Sequence, residues 1–229
     1  LNKKIFLEEI DVTTCKSIPN SELIIHAATS TTENDYKKNP EKEKKNIILG
    51  AENIMKIMNN RSSMIYVSSG AVYGKQKEIN SGFIEDGNYK AQELEGTKLH
   101  YANAKIDAEK IILHYSKIRS IKTVIARCFA FVGKYLPRDT HFFIGNMIES
   151  ILENNNQIIK AENKVYRSYM HADDLVRSLL FINNYAKINC EIFNIGSNEA
   201  IELHHLAEIF SKEYKFKISG NKNPNDFLK

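Results

Sequence analysis

Tyr101 and Lys105 stand four residues apart in the segment YANAK. On a helix, positions i and i+4 share a face, so the phenol and the ammonium become neighbours. A nearby ammonium favours phenolate and lowers a tyrosine pKa. A tyrosine tuned toward neutrality can exchange a proton with a hydroxyl while hydride moves to or from a nicotinamide. The spacing alone is a weak signal in a chain with 11 tyrosines. An amphipathic surface tyrosine gives the same pattern. A second pair, Tyr73 and Lys77, straddles Gly74 and has no helix to align it.

Two other segments carry chemistry of their own. In Ser68-Ser-Gly-Ala-Val-Tyr-Gly74, two hydroxyls follow a buried apolar run. Ser69 at a strand's carboxyl end is placed to hydrogen-bond a reacting oxygen and hold it near Tyr101. Ser-Gly also simply ends many strands. In Ile25-His-Ala-Ala-Thr29, small residues follow another apolar run. They let a cofactor approach the backbone closely, for the reason glycine does. Ordinary strand termination with a satisfied His26 is the plainer reading of that segment.

The elements that must position these residues follow from hydrophobic periodicity. Short apolar runs at 22–28, 63–68 and 121–126 read as buried strands. A helix over 33–59 carries Ile47, Ile48, Ala51, Ile54, Met55 and Met58 on one stripe. A second helix, capped by Thr97, runs to Ser116; its stripe is Leu99, Ala102, Ile106 and Leu113. Tyr101 and Lys105 then sit beside the stripe, facing a cleft edge. Strands alternating with long helices predict an α/β fold with a doubly wound parallel sheet. After Gly133 the rhythm shortens. A helix at 141–153, strands at 157–159 and 165–170, a helix from Asp173 to Asn183, a strand at 191–195 and a helix at 202–213 are expected. This half reads as a small α/β lobe over the carboxyl ends of the strands, where open sheets bind ligands. The expected division is 1–133 for a partial dinucleotide-binding domain and 134–229 mostly for a substrate lobe, with some segments returning to the sheet.

Composition narrows the class. Hydrophobic residues make up 42% of the 229, enough for a sizeable core. No apolar run approaches the roughly 18 residues of a membrane span. Cys15, Cys128 and Cys190 are scattered and odd in number, with no metal or disulfide spacing, so a cytoplasmic setting and no metal are expected. The net charge of +4 comes from lysines interleaved with acids, as in KKNPEKEKK, a solvated stretch rather than a nucleic-acid face.

The order of the segments is more specific than any one of them. Strand-HAAT, helix, strand-SSGAVYG, YxxxK and strand-RCFAFVG resemble the extended short-chain dehydrogenase/reductases, the nucleotide-sugar epimerase and dehydratase family. The resemblance runs from about Asp11 to Ile218. It implies Ser69, Tyr101 and Lys105 as the catalytic set, with Lys105 also holding the cofactor ribose. It implies cofactor contacts from Asp11, Val12, Ala27, Ala28, Thr29, Ser68, Cys128 and Phe129, and from Asn46 on its helix. Ala130, Asn146 and Arg167 fall on the substrate side with Ser69; an arginine suits a nucleotide phosphate in charge and fork geometry. The implied cofactor is NAD or NADP, with NAD favoured. The implied substrate is a nucleotide-linked sugar, and no membrane or nucleic-acid partner is implied. A homodimer through the helices near 33–59 and 97–116 is a further implication.

Departures from the family pattern set the subtype. The 4,6-dehydratases carry an acidic pair where this chain has Gly70 and Ala71. Elimination needs a proton removed and water expelled, so an epimerase or 4-keto reductase is expected instead. Ala130 replaces an asparagine and Ser168 an aspartate common in relatives. The family's GxxGxxG turn, whose helix binds pyrophosphate, is not found; the first glycine is Gly50. The sheet is therefore expected to lack its first βα units, and a truncated or non-catalytic remnant, or a dehydratase-like member with an altered site, stands as the alternative.

Overall fold

The computed structural model describes residues 5–29, 33–75, 82–85, 89–138, 142–155, 157–159, 164–215 and 218–220. The first half holds β1 (Leu23–His26), α1 (Glu33–Lys38), α2 (Pro40–Ile57), β2 (Ser63–Ser69), α3 (Gly96–Ile118) and β3 (Lys122–Cys128). The second half holds β4 (Phe131–Val132), α4 (Phe143–Leu152), β5 (Gln157–Ile159), β6 (Tyr166–Arg167), β7 (Met170–His171) and α5 (Ala172–Ile182). It closes with β8 (Glu191–Ile195), β9 (Ile201–Glu202), α6 (Leu203–Tyr214) and β10 (Ile218–Gly220).

Four strands form one parallel sheet in the order β1-β2-β3-β8. Parallel sheets are covered on both faces, which is why their strands read as continuous apolar runs. On one face, α2 and α3 pack Ala51, Met55, Ala104, Ala108 and Ile112 against Met64, Tyr66 and Ile125. On the other, Leu179 and Ile182 of α5 cover Ile65, Val124, Ala126 and Ile195. The fold is Rossmann-like, as the sequence predicts. The other described strands form three short pairs: β4 with β7, β6 with β9 and β5 with β10. The β4–β7 pair is extended where the Met170 N–H donates to the Ala130 carbonyl at 3.1 Å.

Local details differ from the sequence reading, each for a physical reason. The helix over 33–59 is two helices, because the residue before a proline is pushed out of the α region. Asn39 takes that break and caps α2, accepting the Lys42 N–H at 3.0 Å, with Pro40 opening the helix. Thr97 lies inside α3; the flanking residue is Glu95, and its side chain makes no capping bond. The 165–170 strand is two separate two-residue strands, β6 and β7. Glu202 caps α6 rather than belonging to it, accepting the His205 N–H at 2.9 Å. The main correction concerns α3, whose buried face includes Ala104, Lys105, Ala108 and Glu109 beside Ala102 and Ile106. Lys105 is 2% exposed and points into the fold, not along a cleft edge. Among the described residues no helix is long and apolar enough to cross a membrane.

Candidate active site

The carboxyl end of β2 is where the predicted catalytic residues meet. Ser69 ends the strand and caps the turn Gly70–Tyr73, its hydroxyl accepting the Ala71 N–H at 3.2 Å. One helical face of α3 lies against this end. Lys105 Nζ donates to the Val67 carbonyl at 2.9 Å and stands 5.1 Å from the Tyr66 ring centre and 5.9 Å from that of Tyr101. The Ser69 side chain lies near enough to the Tyr101 phenol to lower its pKa, and the Tyr101 ring packs edge-on against Tyr36. Cys128 is the β3 residue paired in register with Ser69. Phe129 follows it, stacked with Phe83 and Tyr73.

Burial dominates the electrostatics here. It raises the Tyr101 pKa, and the nearby Ser69 side chain only partly offsets that rise. The expectation that Lys105 lowers the phenol's pKa is therefore not met: the ammonium is turned to the Val67 carbonyl, and desolvation of the phenolate wins. Burial also lowers the Lys105 pKa to about 8, against upward pulls from Cys128 and Glu109. The Cys128 thiol is pushed up to about 12 by burial, and His26 is lowered to about 4 by burial and then by Lys105. At neutral pH the site holds a neutral tyrosine, a neutral imidazole, an inert thiol and a lysine close to losing its proton.

A second cluster stands behind these residues; it takes in Ser68, which the sequence reading assigned to the cofactor, and Glu109, Tyr89 and Asn194, to which it gave no role. Arg127 and Glu109 form an ion pair at 2.8 Å with both side chains 0% exposed. Glu109 also accepts the Ser68 hydroxyl at 2.5 Å and the Tyr89 hydroxyl at 2.9 Å. Arg127 donates to Tyr73, which donates to Asn194. Asn194 in turn holds the loop after β2, through the Phe83 carbonyl at 2.7 Å and the Glu85 carboxylate at 2.9 Å. Ser68 is thus engaged by α3. Glu109 lay eight residues from Tyr101 on the same helical face, a signal the sequence did contain.

Three of the residues expected at the cofactor, Val12, Ala27 and Ala28, lie together beside β1 and line a cavity of about 280 Å³, with Ile18, Ile25 and Ile54. Asp11 caps its own turn, accepting the Thr13 N–H and hydroxyl at 2.8 and 2.7 Å. Asn53 of α2 fixes that turn by donating to the Val12 and Cys15 carbonyls at 3.0 and 2.9 Å. Gly50 admits the turn, since a Cβ there would lie 2.9 Å from Val12. Thr29 follows β1 and bonds Tyr36; Asn46 is half-buried on α2. Ala130 is half-buried between β3 and β4. Asn146 lies on α4 and Arg167 on β6, where the guanidinium is exposed and donates to the Tyr166 carbonyl. Among the described residues no hydrogen bond joins either to Ser69, Tyr101 or Lys105.

A parallel α/β sheet with polar side chains gathered at its carboxyl ends defines a Rossmann-like protein. The sequence matches the NAD dependent epimerase/dehydratase family over residues 5–196, and the chain belongs to that family. No curated protein sequence matches it significantly. Among solved structures, the fold is similar to Pal from Bacillus thuringiensis, with a TM-score of 0.74 at 21% identity over 89% of this chain and 63% of that one. It is similar to RMD from Pseudomonas aeruginosa complexed with NADPH, with a TM-score of 0.79 at 19% identity over 93% of this chain and 75% of that one. It is also similar to the UDP-glucose 4-epimerase of Thermotoga maritima with UDP-glucose, with a TM-score of 0.68 at 18% identity over 88% and 65%. The chain therefore spans less than two thirds of the length of Pal and of the epimerase.

Proposed function

We propose that this chain is the core of an NAD(P)-dependent epimerase or 4-keto reductase that acts on a nucleotide-activated sugar. The observation that carries the reading is the approach of Tyr101 and Lys105 on α3 to Ser69 at the end of β2, in a chain of this family. In this reading Ser69 holds the reacting oxygen, and Tyr101 gives or takes its proton. Lys105, with a pKa near 8, faces the same end of the strand and holds the ribose of the cofactor. A bound nicotinamide supplies the hydride acceptor and donor. NAD is favoured by the family, and the cavity lined by Val12, Ala27 and Ala28 fits the close approach of a flat group to small residues. Ala130, Asn146 and Arg167 are assigned to the sugar nucleotide.

The subtype rests on Gly70. A Cβ there would lie 2.7 Å from the Phe129 ring, so an acidic side chain does not fit while Phe129 keeps its place. That disfavours an elimination, which needs carboxylates at this step.

The test has two parts. NAD, NADP, UDP-sugars and dTDP-sugars are titrated against thermal melting, since a ligand of the native state raises Tm. Turnover is then compared in Tyr101→Phe. Loss of about 10²- to 10⁴-fold is expected for removal of the acid/base group. Full turnover in the variant refutes the assignment.

A further inference from the structure

We propose that Glu109 is a positioning residue that sets the register of α3 against β2, so that Tyr101 meets Ser69. The inference rests on the reading of Ser69 and Tyr101 as the reacting pair. Tyr101, Lys105 and Glu109 are spaced i, i+4 and i+8, so they share one helical face. That face meets three consecutive residues of β2. Lys105 reaches the Val67 carbonyl, Glu109 takes the Ser68 hydroxyl at 2.5 Å, and the Ser69 hydroxyl lies near enough to the Tyr101 phenol to lower its pKa.

Lys105 cannot set this register alone. Its ammonium is a point donor on a flexible stem and bonds any nearby carbonyl. A slip of α3 by one turn moves each side chain about 5.4 Å along the strand. Such a slip would leave Lys105 free to find another oxygen. Glu109 has no such freedom, because its carboxylate is held on every side. Arg127 Nε and Nη2 donate to it at 3.1 and 2.8 Å, and Tyr89 donates at 2.9 Å. The guanidinium is itself fixed between the Tyr73 and Tyr89 rings, at 4.8 and 5.1 Å from their centres. Paired planar ions of this kind add geometric specificity as well as energy. A buried ion pair is weak support for stability, since apolar residues of similar volume often do as well. Its value here is the fixed position it gives to Ser68 and hence to Ser69.

The experiment reads Tyr101 directly, so it does not depend on turnover. Ring-13C tyrosine is incorporated, and the Tyr101 resonance is assigned with Tyr101→Phe. Ser68→Ala and Glu109→Gln are expected to move that resonance and its titration midpoint while the melts stay cooperative. Glu52→Ala serves as control: it removes the 3.0 Å bond from Tyr115 between α2 and α3 and leaves the β2 end untouched. The control is expected to leave the Tyr101 signal in place. With NAD and UDP-glucose as probes, the two test variants are expected to lose at least about tenfold in kcat with KM within about twofold, since about 1.4 kcal/mol of lost transition-state contact is a factor of ten. An unmoved Tyr101 signal in folded Ser68→Ala and Glu109→Gln overturns the proposal. Should Glu109→Gln not fold, Ser68→Ala decides alone. If the wild-type protein turns over no sugar nucleotide, the functional reading falls, and the resonance still decides the role of Glu109.

Discussion

Replacing Lys105 by methionine should make this protein more stable at pH 7 while removing its proposed chemistry. Lys105 is 2% exposed, and burial brings its pKa from 10.5 to about 8. Holding the charged form in the fold at pH 7 therefore costs about 3 kcal/mol, at 1.36 kcal/mol for each tenfold change in proton affinity. Methionine fills a similar volume without a charge. The charge-assisted bond to the Val67 carbonyl is lost with the ammonium, and that takes back about 1.5 kcal/mol. The net gain is about 1–2 kcal/mol, or a rise in Tm of about 3–6 °C for a chain of this size. The pH dependence follows from linkage. Between pH 8 and 10.5 the unfolded chain still binds the proton that the folded chain has released. Wild-type stability should then rise with pH relative to the variant across that window, while the buried Cys128 and Cys190 thiols, raised to about 12, lower the stability of both proteins above pH 9. Urea melts of both proteins from pH 7 to 10.5 measure it. A variant less stable than wild type at pH 7, or a variant advantage that does not shrink between pH 8 and 10.5, would refute the reasoning.

Two further substitutions probe the neighbouring structure. Gly70→Ala should cost about 1–3 kcal/mol by overpacking, because Phe129 is wedged between Gly70 and Gly196 and has no room to retreat. Phe129→Leu in the same chain should restore most of the Tm. Asn53→Leu should cost about 2 kcal/mol through its two lost bonds, to the Val12 and Cys15 carbonyls. Faster hydrogen exchange at the Thr14 and Cys15 amides, which donate to Asp11, and weaker dinucleotide binding are the expected readouts; unchanged exchange would show that the turn holds itself.

The parallel strands were legible because both of their faces are buried, so apolar runs such as 63–68 stand out against charged helices. The α3 helix was legible by its period, but not the direction in which it faces. A pattern of Leu99, Ala102, Ile106 and Leu113 assigns a single apolar stripe. In the fold α3 touches both α2 and the end of the sheet, so its buried arc is wider and takes in Lys105 and Glu109. The break at Asn39-Pro40 was written in the sequence and outweighed by the long stripe that follows it. Asn53 gave no signal, since an asparagine on a helix says nothing about a turn 38 to 41 residues earlier.

By itself the sequence determined the order of strands and helices and the family, and it singled out Ser69, Tyr101 and Lys105 as candidates. Those depend on local periodicity and on short motifs whose chemistry is carried by residue type. Only the tertiary structure decided what environment they occupy. The Tyr101 phenol is raised rather than lowered, because desolvation depends on everything packed around the helix. The Arg127–Glu109 pair joins residues 18 apart, and Tyr73 and Asn194 join its network across 54 and 121. Their meeting requires the register of β2 against β3 and β8 and the lie of α3 across them, and no local pattern encodes that register.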